Sequence, residues 1–287
     1  MRPVTSRFTW LDSVNFLLTN RIPRRWATLL MARFSRIEHP VVRALSIAAW
    51  KSFATDLRLH EAKKVHFSSL HDCFTRELKD GVRPVDTDPE TVISPCDGIV
   101  GAHGQIEGTE VFQAKGFPYK LRDLLTDSHL VEKYRNGIFV TLRLKSSMYH
   151  RFHAPYDCRI SEVVYVSGDT WNVNPIALER VAKLFCRNER VVLDLQLPTA
   201  GESLALVPVA AILVASIQLN FLSDALDLQY RGPNRIACQH AFSKGDEMGF
   251  FQHGSTIIVF GSGNFVIADG VSDGATIRMG QPLLRHI

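Results

Sequence analysis

No stretch of this sequence reaches the roughly 18 uninterrupted apolar residues of a membrane-spanning helix. The longest candidate, Leu204 to Ala215, is interrupted by Pro208 and reads as a buried β core. Cysteine is sparse and unpaired in pattern: five residues, Cys73, Cys96, Cys158, Cys186 and Cys238, with no CxxC spacing. An odd count of this kind points to reduced thiols and excludes a disulfide framework or a zinc finger. A phosphate-binding loop, a dinucleotide fingerprint and a Gly-x-Ser-x-Gly elbow are all missing, which sets aside the common nucleotide-binding and hydrolase signatures. Lysine is absent from the first 50 residues, where eight arginines face only Asp12 and Glu38. That segment is net +6 and leaves the remaining 237 residues at −2. No apolar signal-like run survives Asp12, Arg21, Arg24 and Arg25.

The basic segment is interleaved with apolar residues at helical spacing. Trp10, Val14, Leu17 and Leu18 share one face, and Trp26, Leu29, Leu30 and Phe34 another. His39-Pro40 then marks a helix start, followed by Val41, Leu45, Ala48 and Ala49. Two readings stand: helices packed on their own core, or an interfacial anchor whose arginines reach lipid head groups while Trp and Phe sit at the acyl boundary. Arginine and tryptophan usage favours lipid. Nucleic acid is disfavoured, because the segment lacks a recognition motif and the rest of the chain is not basic.

From about Val92 the texture becomes β. Short β-branched runs recur at Ile138 to Leu142, Val163 to Val166, Val191 to Leu193, Val209 to Ile217 and Thr256 to Phe260, separated by Gly and Asp-Gly turns. A helical interlude is expected near Asn174 to Leu184. The fold class is therefore α+β. A helical, membrane-associating region over 1–80 precedes a mainly β catalytic domain over 81–287.

Three positions carry chemistry. Gly254-Ser255-Thr256 opens a β-branched strand, and glycine leaves its own carbonyl open to attack by the Ser255 hydroxyl. The result is an N→O acyl shift that splits the backbone; ordinary turn-then-strand architecture is the competing reading. Asp97, in Pro95-Cys96-Asp97-Gly98, is either a hairpin residue or a carboxylate that orients a histidine. Spacing of three puts His150 and His153 on one side of a turn or on opposite faces of an extended strand, and Pro155 just beyond favours a turn. Without acidic or cysteine neighbours they are weak metal ligands, and no metal is expected. A histidine here can instead deprotonate Ser255. Lys244 to Gly249 is expected to turn tightly and present Gly254-Ser255.

Taken in order, these segments resemble the pyruvoyl-dependent phosphatidylserine decarboxylase family of bacterial and mitochondrial membranes. The resemblance rests on Arg83 to Pro89, the Pro-x-Asp-Gly around Asp97, Gln113-Ala114-Lys115-Gly116, Tyr149 to Pro155, Tyr165 to Asp169, Asn188-Glu189-Arg190, Lys244 to Gly249 and Gly254-Ser255-Thr256. It spans about residue 65 to Pro282.

The resemblance implies a self-processing proenzyme cut between Gly254 and Ser255, giving a β chain 1–254 and an α chain 255–287. Ser255 would become the pyruvoyl group, the only cofactor. Asp97 and His153 would drive the cut, with His153 as base, and His150 would assist decarboxylation. The substrate would be phosphatidylserine in an anionic membrane, and the product phosphatidylethanolamine. A homodimer of αβ units at the cytoplasmic face of a bacterial membrane is implied, as a peripheral protein with no nucleic-acid partner. His253 departs from the small or aliphatic residue the family usually places before Gly-Ser-Thr. The alternative is a catalytically silent lipid-surface protein that stays uncut.

Overall fold

A computed structural model describes residues 10, 16–17, 20, 22–54, 56–114, 117–213, 216–252 and 255–287. His253, Gly254, Lys115, Gly116 and, of the first expected helical face, Val14 and Leu18 lie outside the described residues. The architecture is α+β, with small N-terminal helices followed by a mainly β region. Helix α1 spans Arg24–Phe34, α2 spans Pro40–Phe53 and α3 spans Leu70–Phe74. Pro40 begins α2 as the His39-Pro40 step predicts, since its fixed φ suits the first helical turn. Ser69 caps α3, accepting a hydrogen bond from the Asp72 N–H.

An eight-stranded antiparallel sheet forms the centre. The strands that build the site are β1 (Gly98–Gln105), β2 (Ile138–Leu144), β3 (Arg151–His153), β4 (Ser203–Ala210), β5 (Glu247–Phe251) and β6 (Ser255–Ser262). In the large sheet β6 lies between β4 and β2, and β2 lies between β6 and β1. Every residue of β4 and β6 is buried, which is why both read as unbroken apolar runs rather than alternating ones. Two apolar layers cover the sheet. Ile257 and Val259 face one, with Leu142, Leu144 and Phe152; Ile258 and Phe260 face the other, with Phe139 and Val207.

β3 and β5 pair in a second, four-stranded sheet. The chain therefore leaves β5, passes through residues 252–254 and enters the central sheet at Ser255. The expected run from Val209 to Ile217 is two strands instead of one. β4 ends at Ala210 and a new strand, Ser216–Leu219, belongs to the other sheet. Leu213 adopts φ +68 between them, and its N–H is bonded at 3.0 Å to the Thr28 hydroxyl of α1. Pro208 is tolerated within β4 because the ladder to the neighbouring Arg190–Gln196 strand lapses at Val207 and Pro208. The expected helical interlude is two short turns of helix, Pro175–Leu178, capped by Asn174, and Leu184–Arg187.

The N-terminal helices do not make a core of their own. Among the described residues, α2 buries none of its side chains and α1 buries only Thr28. Trp26, Leu30, Val41, Leu45 and Phe53 are exposed, Phe53 by 88%. Polar bonds hold α1 to the β region. Arg24 donates to Asp169 at 3.1 Å and stacks over Trp171 at 3.8 Å; Arg36, just past the helix, donates to Gln252 at 2.9 Å. No helix among the described residues is long and apolar enough to cross a membrane.

Candidate active site

Ser255 is the first residue of β6, opposite Leu144 of β2 and Ala210 of β4. It is fully buried, and its hydroxyl oxygen has no hydrogen-bond partner among the described residues. An unpaired buried hydroxyl costs about 1–3 kcal/mol; those of Thr256, Thr141 and Ser216 are unpaired in the same way, so what sets Ser255 apart is its place directly after the Gly-Ser step.

Asp97 sits immediately before β1 and is nearly inaccessible at 6% exposure. Arg83 grips it with two bonds, Nε to Oδ1 at 2.8 Å and Nη2 to Oδ2 at 2.6 Å, and the Met279 N–H adds a third at 3.0 Å. Arg83 also reaches Glu61 at 2.9 Å. Burial works against the Arg83 charge, but its bonds to Asp97 and Glu61 outweigh it, and the guanidinium pKa is raised. Asp97 is thus a paired, hydrogen-bonded anion and not a simple hairpin residue.

His153 ends β3, whose register to β5 places it opposite Glu247. Its backbone N–H bonds to Pro95 O at 2.8 Å, tying the histidine strand to the loop that carries Asp97. The ring is held at both nitrogens: Nδ1 lies 2.8 Å from Gly245 O, and Nε2 lies 3.0 Å from the Tyr149 hydroxyl. A carbonyl can only accept, so Nδ1 carries the proton and Nε2 accepts from Tyr149. Burial depresses the His153 pKa, against raising contributions from Gly245 O and the Glu247 and Asp97 charges, so the ring is neutral at pH 7. Asp97 acts on it through its field: the hydrogen bond expected from a triad is not formed, because Arg83 and Met279 occupy the carboxylate and Gly245 occupies Nδ1.

The turn at Lys244 to Asp246 exists, with Gly245 at φ +93. It lies at the opposite end of β5 from Ser255, and what it presents is the carbonyl that orients His153. His150, just before β3, is the histidine nearer in register to the scissile segment, since its carbonyl accepts from the Phe251 N–H at 3.0 Å. Its Nδ1 is 2.8 Å from Met148 O, and its ring lies 4.1 Å from that of Phe74, which in turn stacks on Trp50 of α2 at 5.4 Å.

A cleft of about 890 Å³ opens beside the start of β6. Its lining includes the apolar Trp50, Phe53, Phe74, Leu144 and Ala211 and the polar Arg143, Lys145 and Asn172. A smaller cavity of about 150 Å³ borders Asp97, Arg83 and Tyr149.

Sequence reasoning gave no role to Arg83, Tyr149, Phe74 or Arg143. Arg83 and Tyr149 stand within the motifs that carried the resemblance; Arg143 is signalled by a charge inside the apolar run Ile138 to Leu144. Nothing in the local pattern marks Phe74.

A family model described as phosphatidylserine decarboxylase matches residues 70–285. Similar proteins named phosphatidylserine decarboxylase proenzyme include one from Acinetobacter baumannii, 35% identical over 245 residues covering 84% of each chain. One from Vibrio cholerae is 34% identical over 283 residues, covering 95% of this chain and 98% of its own. Another, from Citrobacter koseri, is 33% identical over 286 residues, covering 95% and 88%. The matched span takes in the paired Asp97, the neutral His153 and the orphaned Ser255 hydroxyl, and on that likeness the chain belongs to the phosphatidylserine decarboxylase family.

Proposed function

We propose that the chain is a self-processing decarboxylase that converts phosphatidylserine to phosphatidylethanolamine and carbon dioxide. The observation that carries this reading is the Ser255 hydroxyl: buried, without a partner among the described residues, and first in the strand that follows the Gly-Ser step. Its oxygen attacks the Gly254 carbonyl and the Gly254–Ser255 amide becomes an ester; elimination of the Gly254 carboxylate ends a β chain 1–254 and leaves dehydroalanine at the start of an α chain 255–287, where water replaces the nitrogen as ammonia and leaves a ketone. Ser255 is the source of the pyruvoyl group, and its cross-strand neighbour Leu144 lines the cleft. When present, the ketone supplies the electron sink that lets carbon dioxide leave.

His153 is the base for the attack. Its neutral state at pH 7 leaves Nε2 able to take the Ser255 proton once that lone pair is released from Tyr149. Asp97, held by Arg83, favours the imidazolium that results by placing a fixed negative charge nearby. His150, backed by Phe74, handles the proton that replaces carbon dioxide.

Residues 1–80 form the membrane-associating part and 81–287 the catalytic part. The exposed Trp26, Leu30, Val41, Leu45 and Phe53 enter the interface while neighbouring arginines meet anionic head groups. On this reading the enzyme is a peripheral protein, a homodimer of αβ units, at the cytoplasmic face of a bacterial membrane. The test is release of carbon dioxide from phosphatidylserine by the purified chain. Ser255→Ala is expected to remain one chain and release none; an active Ser255→Ala would end the reading.

A further inference from the structure

Among the described residues, the arginines whose charge is disfavoured by burial are all partnered, with one exception. Arg76 donates to the carbonyls of Leu57 and Ser147, each at 2.9 Å. Arg83 is bound to Asp97, Arg151 to Glu247 at 2.7 Å, and Arg190 to the carbonyls of Leu124, Asp123 and Cys186. Arg143 is the exception. It is the only charged residue of β2, it is half-buried, and its guanidinium has no hydrogen bond or ion pair among the described residues. Burial alone lowers its pKa, with no acid to offset it. A desolvated cation without a counter-charge is unfavourable, and the deficit is removed when an anion binds.

The cleft beside Ser255 supplies the place for that anion. Arg143 lines it. Lys145, the other cation there, is faced by Asp56 at 3.5 Å, so the Arg143 charge is the unspent one. Leu144 is the cross-strand partner of Ser255, and Arg143 is the next residue along, opposite Thr256. Alternation along the strands sends the Ser255 and Arg143 side chains to opposite faces of the sheet, so what relates them is the cleft that Arg143 and Leu144 both line. In a serine phospholipid the phosphorus is only a few bonds from the reacting amine. The same lining includes the apolar Trp50 and Phe53, against which a glycerol and its acyl chains would lie.

We propose that Arg143 recognises the phosphodiester of the substrate head group, an inference that rests on the decarboxylase reading above. The serine carboxylate is the wrong partner. Its charge must drain away as carbon dioxide forms, so a cation fixed on it would hold the starting state more tightly than the transition state. The phosphodiester keeps its charge throughout. Binding it is uniform along the reaction, and the contribution falls on KM and not on kcat. A planar guanidinium also suits two phosphate oxygens at once, which an ammonium does not.

The experiment compares wild type, Arg143→Met and Arg143→Lys in two measurements. The first needs no turnover: glycerophosphocholine, a phosphodiester with no primary amine and no carboxylate, is titrated into each protein and followed by phosphorus NMR. The second is kcat and KM for phosphatidylserine in non-ionic detergent micelles. Arg143→Met is expected to weaken glycerophosphocholine binding and to raise KM, each by about tenfold or more, while kcat moves far less. Arg143→Lys recovers part of both. Equal glycerophosphocholine binding by wild type and Arg143→Met overturns the proposal, as does a fall in kcat with KM unmoved. A wild type that binds the probe through Arg143 yet stays uncut and inactive defeats the decarboxylase reading and leaves the anion site standing, so the two failures are distinct.

Discussion

Arg83 and Asp97 form a bidentate pair, with both carboxylate oxygens held at 2.8 and 2.6 Å inside the protein. Each is over 90% buried by side chain, at 5% and 9% exposure. Breaking such a pair from one side leaves a bare buried charge. Arg83→Met is therefore expected to lower stability by about 3 kcal/mol, read as a drop in melting temperature, and to slow maturation. The double variant with Asp97→Asn should regain much of the stability and none of the processing. Unaltered cutting in the double variant would remove Asp97 from the chemistry.

The proposed base can be separated from its hydrogen-bond partners. His153→Ala is expected to stay uncut at every pH. In wild type the His153 pKa is depressed by burial, so the neutral form required for attack already predominates at pH 6.5, the ordinary histidine value. Maturation should rise with pH through that depressed value and be flat above neutrality. Tyr149→Phe removes the donor that occupies Nε2 and should mature at least as fast as wild type. A slower cut would make Tyr149 part of the proton path.

Glu189 gives a pH signature of stability that is independent of catalysis. It is fully buried with Tyr165 donating to its Oε1, and burial pushes its pKa up to about 9. The folded protein then binds a proton that the unfolded chain, with a pKa near 4.5, releases. The sign follows: stability falls as pH rises between these two values. A loss of about 2–3 kcal/mol between about pH 5 and pH 7 is expected in urea titrations, and Glu189→Gln should abolish that slope. An equal slope in the variant would assign the loss elsewhere.

How much of this was legible in the sequence depends on the range of the interaction. Strand β6 was legible because all eight of its residues are buried and five of them, Thr256 to Phe260, form an unbroken β-branched and aromatic run. The start of α2 was legible because His39-Pro40 is a local signal. The partition of Val209 to Ile217 was not, since it depends on Thr28 of α1 meeting Leu213, a contact 185 residues apart. Asp97 and His153 were legible as residue types in motifs, but their partners were not. Arg83 and Gly245 win the bonds that a simple triad would assign to each other, and only the packing of β3 against β5 and the Pro95 loop decides that. The two readings of the N-terminal helices could not be separated without knowing which faces stay uncovered.

Those uncovered faces make the membrane prediction specific. Wild type is expected to bind anionic vesicles and to release as salt is raised. Replacing Trp26, Leu30 and Phe53 together with serine should weaken binding to neutral and anionic vesicles alike by tenfold or more, on the order of a few kcal/mol of lost apolar burial. Cutting at Ser255 should persist in that variant. Undiminished vesicle binding would show that the exposed apolar side chains do not enter the interface.

The central claim is tested most directly by denaturing intact mass spectrometry of the purified wild-type chain. The account predicts two fragments meeting between Gly254 and Ser255. The smaller should be lighter, by the mass of one ammonia, than the same fragment started by serine. A single uncut chain, or a small fragment that begins with an unmodified serine, would contradict it.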